Sequence, residues 1–188
     1  MHPAYSVIFF TTASGAGYGL LALLGILNIG NYLPSDKWFF LLALFISLAL
    51  ITLGLLSSTF HLGHPERAWR AVTQWKTSWL AREGVIAILT YFPACVMGLG
   101  WILMEETNGI YMLMGILAAI GSIVTVYCTS MIYASLNAIP AWTLPLVPPL
   151  YICLSMTTGS VILITLLRAF GSEILGLSIF CLLILLIT

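Results

Sequence analysis

Residues 38–60 read WFFLLALFISLALITLGLLSSTF, a run of 23 residues that contains no charged side chain. A helix needs about 20 mostly apolar residues to cross the hydrocarbon core of a bilayer. Trp38 stands at the start of the run, and tryptophan is typical of the boundary between lipid headgroups and hydrocarbon. This stretch therefore predicts one membrane-spanning helix over residues 38–60.

Further apolar runs of similar length lie on both sides of that run. They predict helices over residues 5–29, 83–103, 109–134 and 149–168, and a shorter one over residues 174–188. Continuous runs exclude a transmembrane barrel, whose strands would show alternating segments of about ten residues. We predict an all-α, polytopic transmembrane helix bundle with about six helices, forming a single transmembrane domain over residues 1–188.

The last apolar run is too short to cross a bilayer. Its 15 residues extend about 22 Å as a helix at 1.5 Å per residue, against a hydrocarbon core of about 30 Å. We therefore expect the domain to be C-terminally incomplete. In the first helix, Gly15 and Gly19 form a G-x-x-x-G pattern, which predicts close approach of a second helix.

The composition of the chain excludes several classes of protein. Only 12 of 188 residues are charged, six basic and six acidic, and 61% are hydrophobic, whereas a soluble domain has about 25% charged residues. A soluble enzyme, a disordered segment and a nucleic-acid-binding module are thereby excluded. The cysteines stand singly in apolar runs with no C-x-x-C pair, so we predict no metal site; they are Cys95, Cys128, Cys153 and Cys181.

Half of the charges fall in the charged segment, residues 60–83, which reads FHLGHPERAWRAVTQWKTSWLARE. A charge at the bilayer centre costs about 2.5–3.5 kcal/mol even on lenient scales. We therefore place this segment at the membrane surface, between the second and third helices.

His61 and Glu83 stand at the two ends of the charged segment, where the second helix ends and the third begins. Helices joined by a short connection are usually neighbours, so we expect both side chains to face one pocket at the membrane surface. A histidine can hydrogen-bond a quinone ring oxygen and exchange a proton with it, and a carboxylate can pass the other proton to water. Arg67 or Arg82 would keep the carboxylate ionised.

Simpler interpretations of these residues stay open. His61 could bond a backbone carbonyl at the interface, and Glu83 could be an acid favoured by the dipole at the start of a helix. Haem ligation by His61 and His64 is not expected, because both lie on one segment beside Gly63.

Four basic residues of the charged segment are candidates for docking a partner or lipid phosphates: Arg67, Arg70, Lys76 and Arg82. They are also four of the six Lys and Arg residues of the chain. By the positive-inside rule, they place the charged segment on the cytoplasmic side.

The stretch from His61 to Ala68, H-L-G-x-P-x-R-A, resembles the membrane-anchor subunits of the dimethyl sulfoxide reductase family. The pair Arg82-Glu83 matches as well, and so do residues 131–133 (MIY) and 140–142 (PAW). The resemblance covers essentially the whole chain.

The resemblance implies an eight-helix, quinone-reactive anchor without haem in the bacterial inner membrane. It implies an iron–sulfur subunit and a molybdopterin catalytic subunit as partners, in a respiratory chain that uses a quinone such as menaquinone. By the motif, His61 and Glu83 are the catalytic candidates, and His64 and Arg67 join them in binding the quinone.

Three alternatives stay open. The anchor could belong to a cytoplasm-facing, sulfite-oxidising molybdoenzyme, a branch that the charge distribution favours. It could be a purely structural anchor, in which case the chain takes no part in the redox reaction. A small transporter would need ionisable residues at mid-membrane, whereas all twelve charges lie at predicted helix ends.

Overall fold

The computed structural model describes residues 5–59, 73–136 and 139–171, and these contain five long helices. Each of the five is long and apolar enough to cross a membrane, which confirms the all-α transmembrane class. The predicted helix over 174–188 lies outside the described residues. The five are α1 (Tyr5–Ile29), α2 (Lys37–Thr59), α3 (Trp79–Leu99), α4 (Ile110–Ala134) and α5 (Val147–Ala169).

Local side chains determine where α2, α3 and α5 begin. The Asp36 carboxylate accepts a hydrogen bond of 2.8 Å from the backbone nitrogen of Trp38, and Ser78 caps α3 by accepting from the nitrogen of Ala81. Prolines stand in the first turn of α5, where a backbone N–H would have no helical partner. Because the cap is at Ser78, α3 begins four residues before the predicted start at Glu83.

The first helix is the centre of the bundle, since α1 packs against α2, α4 and α5. The third helix packs mainly on α4 and has fewer contacts with α2. The expected contact between α2 and α3 is present, since the hydroxyls of Thr52 and Tyr91 share a hydrogen bond of 2.7 Å, but α4 covers more of α3. One cause lies at Gly121 of α4, where an added Cβ would stand 2.4 Å from the hydroxyl oxygen of Thr90 on α3. The absent side chain lets α3 approach α4 closely.

The G-x-x-x-G pattern of α1 behaves differently at its two glycines. A Cβ at Gly19 would lie 1.9 Å from the carbonyl oxygen of Ser155, whereas a Cβ at Gly15 would meet no atom within 4 Å. The Ser155 hydroxyl donates a 2.7 Å hydrogen bond to the carbonyl of Gly15. Gly19 thus provides the predicted close contact, to α5, and Gly15 borders open space.

The two ends of the bundle differ in their contacts. At one end, Lys37 at the start of α2 pairs with Glu105 beyond α3 at 3.7 Å. The other end, here called the charged end, is where α3 begins; α1 and α5 also begin there, and α2 and α4 end there, because successive spans alternate in direction.

Candidate functional site

Glu83 is buried in the bundle one helical turn inside α3 from the charged end. Its residue exposure is only 3%, although the sequence placed it at the mouth of a surface pocket. Burying a carboxyl group among apolar residues is costly unless polar partners surround it. An ionisable residue inside a membrane span is therefore a functional-site candidate by default.

Thr129 of α4 is the hydrogen-bond donor to Glu83. Its hydroxyl contacts Oε1 of the carboxyl group and the Thr125 carbonyl oxygen at 3.0 Å. Thr129 is 5% exposed and Thr125 is fully buried. Thr129 was not predicted from the sequence, although the spacing of Thr125 and Thr129 puts two hydroxyls on one face of an apolar helix.

Tyr18 of α1 brings a third polar group to this region. The residue is 2% exposed, and its hydroxyl interacts electrostatically with Glu83 and Tyr91 and lies near Thr125. Within the described ranges it is the one buried side-chain polar atom without a hydrogen bond of good geometry. Buried hydroxyls normally have a partner, often an ordered water, so this part of the bundle has unused hydrogen-bonding capacity.

Arg82 points away from its neighbour Glu83. Its Nε donates to the Trp75 carbonyl at 2.9 Å, and its Nη2 donates to the Lys76 carbonyl at 2.7 Å. The guanidinium also lies 4.3 Å from the centre of the Trp79 ring. No ion pair between Arg82 and Glu83 occurs in the described structure. Arg82 therefore makes no direct contact that would keep this carboxylate ionised, in contrast to the expectation from the sequence.

Of the remaining residues of the predicted site and docking surface, the structure describes only Lys76. Lys76 is exposed at the charged end, which is compatible with docking. His61, His64, Arg67 and Arg70 lie outside the described residues, so their distances to Glu83 stay predictions.

A cavity of about 300 Å³ opens between α1, α4 and α5. Thr129 lines it while donating its hydrogen to Glu83, so the cavity and the buried carboxyl group share one hydroxyl. Seven of its eleven lining residues carry a hydroxyl group, although most of the surface that they expose to the cavity is apolar. The lining residues are Thr11, Thr12, Ser14, Gly15, Ala16, Val126, Thr129, Tyr151, Leu154, Ser155 and Thr158.

Metal ligands do not cluster in the part of the chain that the structure describes. No group of three or more His, Cys, Asp or Glu side chains there could hold a metal ion. Cys95, Cys128 and Cys153 are free thiols.

The fold and the buried carboxyl group together define a multi-pass helical membrane protein with a buried polar site near the charged end of its bundle. The family model described as DMSO reductase anchor subunit (DmsC) matches residues 1–188. The chain belongs to this family, which confirms the resemblance found in the sequence.

A curated relative matches over most of this chain. It is a subunit of the sulfite dehydrogenase of Allochromatium vinosum, 37% identical over 177 residues that cover 85% of this chain and 53% of the relative. The chain thus spans about half the length of that relative. No solved structure matches the chain.

Proposed function

We propose that this chain is the quinone-reactive subunit of a trimeric molybdopterin oxidoreductase in the bacterial inner membrane. It would pass electrons between the quinone pool and an iron–sulfur partner subunit. The observation that carries the proposal is the carboxyl group of Glu83, buried beside Thr129 inside a membrane span of an anchor-family protein. A purely structural anchor gains nothing from the cost of burying that group.

The reaction itself requires groups that handle protons. Oxidation of a hydroquinone releases two electrons and two protons, and reduction of a quinone takes them up. Glu83 would exchange one proton, with Thr129 orienting its carboxyl group. His61, assigned by the sequence motif, would hydrogen-bond a ring oxygen, since imidazole exchanges protons near neutral pH. His64 and Arg67 would bind the quinone beside it.

The charged end would also be the docking surface for the iron–sulfur subunit. Lys76 is exposed there, and Arg67 and Arg70 belong to the same segment of sequence. Arg82 would contribute by shaping the backbone of that segment, because two of its donors hold the carbonyls of Trp75 and Lys76.

A sulfite-oxidising complex is the second candidate within the same class. It is favoured by the 37% identity to a subunit of a sulfite dehydrogenase. In that case electrons would flow from sulfite to quinone, whereas a dimethyl sulfoxide reductase would draw them from hydroquinone. The two candidates are distinguished by incubating the purified complex with sulfite and a quinone, and separately with dimethyl sulfoxide and a hydroquinone. The pair that is turned over identifies the reaction.

The proposed function is tested by Glu83→Gln and His61→Arg in the full-length chain assembled with its partner subunits. We expect each to lower quinone-linked turnover by about 100-fold or more, which is typical of removing a proton-transfer group. Turnover of the partner subunits with a soluble electron donor or acceptor should stay unchanged. The matched control is Glu106→Gln, an exposed residue at the opposite end. Wild-type quinone turnover in both site variants would instead support a structural anchor.

A further inference from the structure

A groove opens at the end of the bundle opposite the charged end, between the start of α2 and the end of α3. Its volume of about 540 Å³ lies within the range of small-molecule sites in proteins. On one side it is lined by Asp36, Lys37 and Trp38, and on the other by Trp101 and Glu105. Charged side chains thus border this groove, here called the interfacial groove, whereas none lines the cavity between α1, α4 and α5.

An irregular end of α3 shapes one wall of the interfacial groove. The helix continues into a π-helical turn over Gly100–Met104, a rare conformation that is frequent at functional sites. Glu105 follows with a left-handed φ of 53°, which is uncommon for a residue other than glycine. The buried Trp101 ring stacks on Phe40 of α2, with 4.3 Å between the ring centres. The π turn and the left-handed residue thus bring an aromatic floor and a carboxylate against the start of α2.

The charges at the rim of the groove can be shared with a ligand. The Lys37 ammonium lies 3.7 Å from the Glu105 carboxylate, and both side chains are more than half exposed. An ion pair this exposed contributes little to stability, so either partner can bind a ligand at small cost. Asp36 accepts a hydrogen bond from the Trp38 nitrogen, and a carboxylate can accept several. Two carboxylates against one ammonium favour a ligand that carries a cationic group.

An apolar track leads from the groove along α2. Trp38 lines the groove and is 62% exposed, and tryptophan is typical of the level of lipid headgroups. Leu41 and Phe45 follow three and seven positions later, so they share its face of the helix, and both are exposed. A ligand with a polar head in the groove can therefore extend an apolar chain along this face toward the bilayer centre.

We propose that the interfacial groove binds the headgroup of a zwitterionic phospholipid with a primary ammonium group, such as phosphatidylethanolamine. The lipid ammonium donates to the carboxylates of Asp36 and Glu105, and the lipid phosphate accepts from Lys37. One acyl chain follows the exposed face of α2. This lipid site is separate from Glu83 and takes no part in the quinone reaction.

The chemistry of the rim predicts an order among common phospholipids. Phosphatidylethanolamine offers three N–H donors to the carboxylates. Phosphatidylcholine has the same net charge, but its quaternary ammonium group has no N–H donor. Phosphatidylglycerol has no cationic group at all, so its negative charge meets a rim in which Asp36 and Glu105 outnumber Lys37. The expected order of retention is therefore phosphatidylethanolamine, then phosphatidylcholine, then phosphatidylglycerol.

The test is native mass spectrometry of the full-length chain with its partner subunits in detergent. The probes are dioleoyl phosphatidylethanolamine, phosphatidylcholine and phosphatidylglycerol, each added separately. We expect the complex to retain phosphatidylethanolamine about three- to tenfold better than phosphatidylcholine, the usual effect of about one hydrogen bond. Equal retention of these two lipids, or preference for phosphatidylglycerol, would overturn the proposal.

Two variants and a matched control test the location. Glu105→Gln removes a carboxylate at nearly constant volume and should erase most of the preference for phosphatidylethanolamine over phosphatidylcholine. Lys37→Gln should lower the retention of both lipids about three- to tenfold and keep the preference, because both lipids carry the phosphate. The control is Glu106→Gln, an exposed neighbour that does not line the groove, and it should change neither quantity. If Glu106→Gln had the same effect as Glu105→Gln, retention would depend on general surface charge and the groove assignment would be wrong.

Discussion

The hydroxyl of Thr129 on α4 donates a hydrogen bond to the carboxyl group of Glu83 on α3, and both residues are at least 95% buried. This contact joins α3 and α4, which also meet where the Trp79 ring packs edge-on against Tyr127 and where Thr90 faces Gly121. It identifies a polar site in the bundle that the charged segment alone did not reveal, because Thr129 lies 46 residues further along the chain.

Removing the Thr129 hydroxyl should impair the quinone reaction without dismantling the bundle. Thr129→Val keeps the shape of the side chain but leaves Glu83 without its donor. We expect a loss of quinone-linked turnover of about 10- to 100-fold, because a hydrogen bond to a charged group contributes about 1.5–3 kcal/mol. Thr129→Ser restores the hydroxyl and should recover most of the activity. Equal activity of the Val and Ser variants would show that the hydrogen bond has no part in turnover.

The hydrogen bonds from Arg82 to the carbonyls of Trp75 and Lys76 should hold the backbone before α3 in place. Arg82→Lys keeps the charge but loses the planar donors that reach the carbonyls of Trp75 and Lys76, since an ammonium group cannot replace that geometry. We expect faster amide hydrogen exchange over residues 74–78 and weaker binding of the partner subunits. The control is Arg168→Lys at the end of α5; an equal effect there would contradict the specific role of Arg82.

Asn28 should contribute to stability at the end opposite the charged end. This residue is 2% exposed, accepts from the Trp101 indole at 3.2 Å and donates to the Thr107 carbonyl at 3.1 Å. Asn28→Leu leaves both partners without it, at a cost of about 1–3 kcal/mol for each buried group left unpaired. Thermal unfolding in detergent should show a lower midpoint, whereas Asn108→Ala, at an exposed position of the same end, should change it far less. Quinone-linked turnover at a permissive temperature should be unaffected.

Gly19 should tolerate no side chain, because α5 packs directly against it. A Cβ there would lie 1.9 Å from the Ser155 carbonyl oxygen, so Gly19→Ala must push α1 and α5 apart. Overpacking of this kind costs about 1–3 kcal/mol, to be read from the unfolding midpoint in detergent. Gly84→Ala is the matched control, since a Cβ at Gly84 meets nothing within 4 Å. Helix propensity alone would stabilise both variants, since alanine is a better helix former than glycine. A loss of stability at Gly84 as large as that at Gly19 would contradict the packing argument.

Much of the architecture could be predicted from single segments of sequence. The helix predicted over residues 5–29 has the bounds that the structure shows, and the other described helices differ by a few residues at their ends. This works because a backbone in lipid must satisfy its hydrogen bonds within its own segment. The start of α3 was predicted four residues too late. The helix begins at Trp79, before its most apolar stretch, because Ser78 caps it there.

The sequence by itself determined that the chain crosses a membrane, where its spans lie, which family it resembles and that Glu83 is a candidate. Those conclusions depend on local composition and on a short motif. Only the tertiary structure decided that α3 packs on α4 more than on α2, that Thr129 is the partner of Glu83 and that Arg82 turns away from it. Pairing between helices in a bilayer depends on small residues and polar contacts far apart in the chain, such as Gly121 with Thr90 and Gly19 with Ser155. These pairs become visible only once the helices are placed side by side.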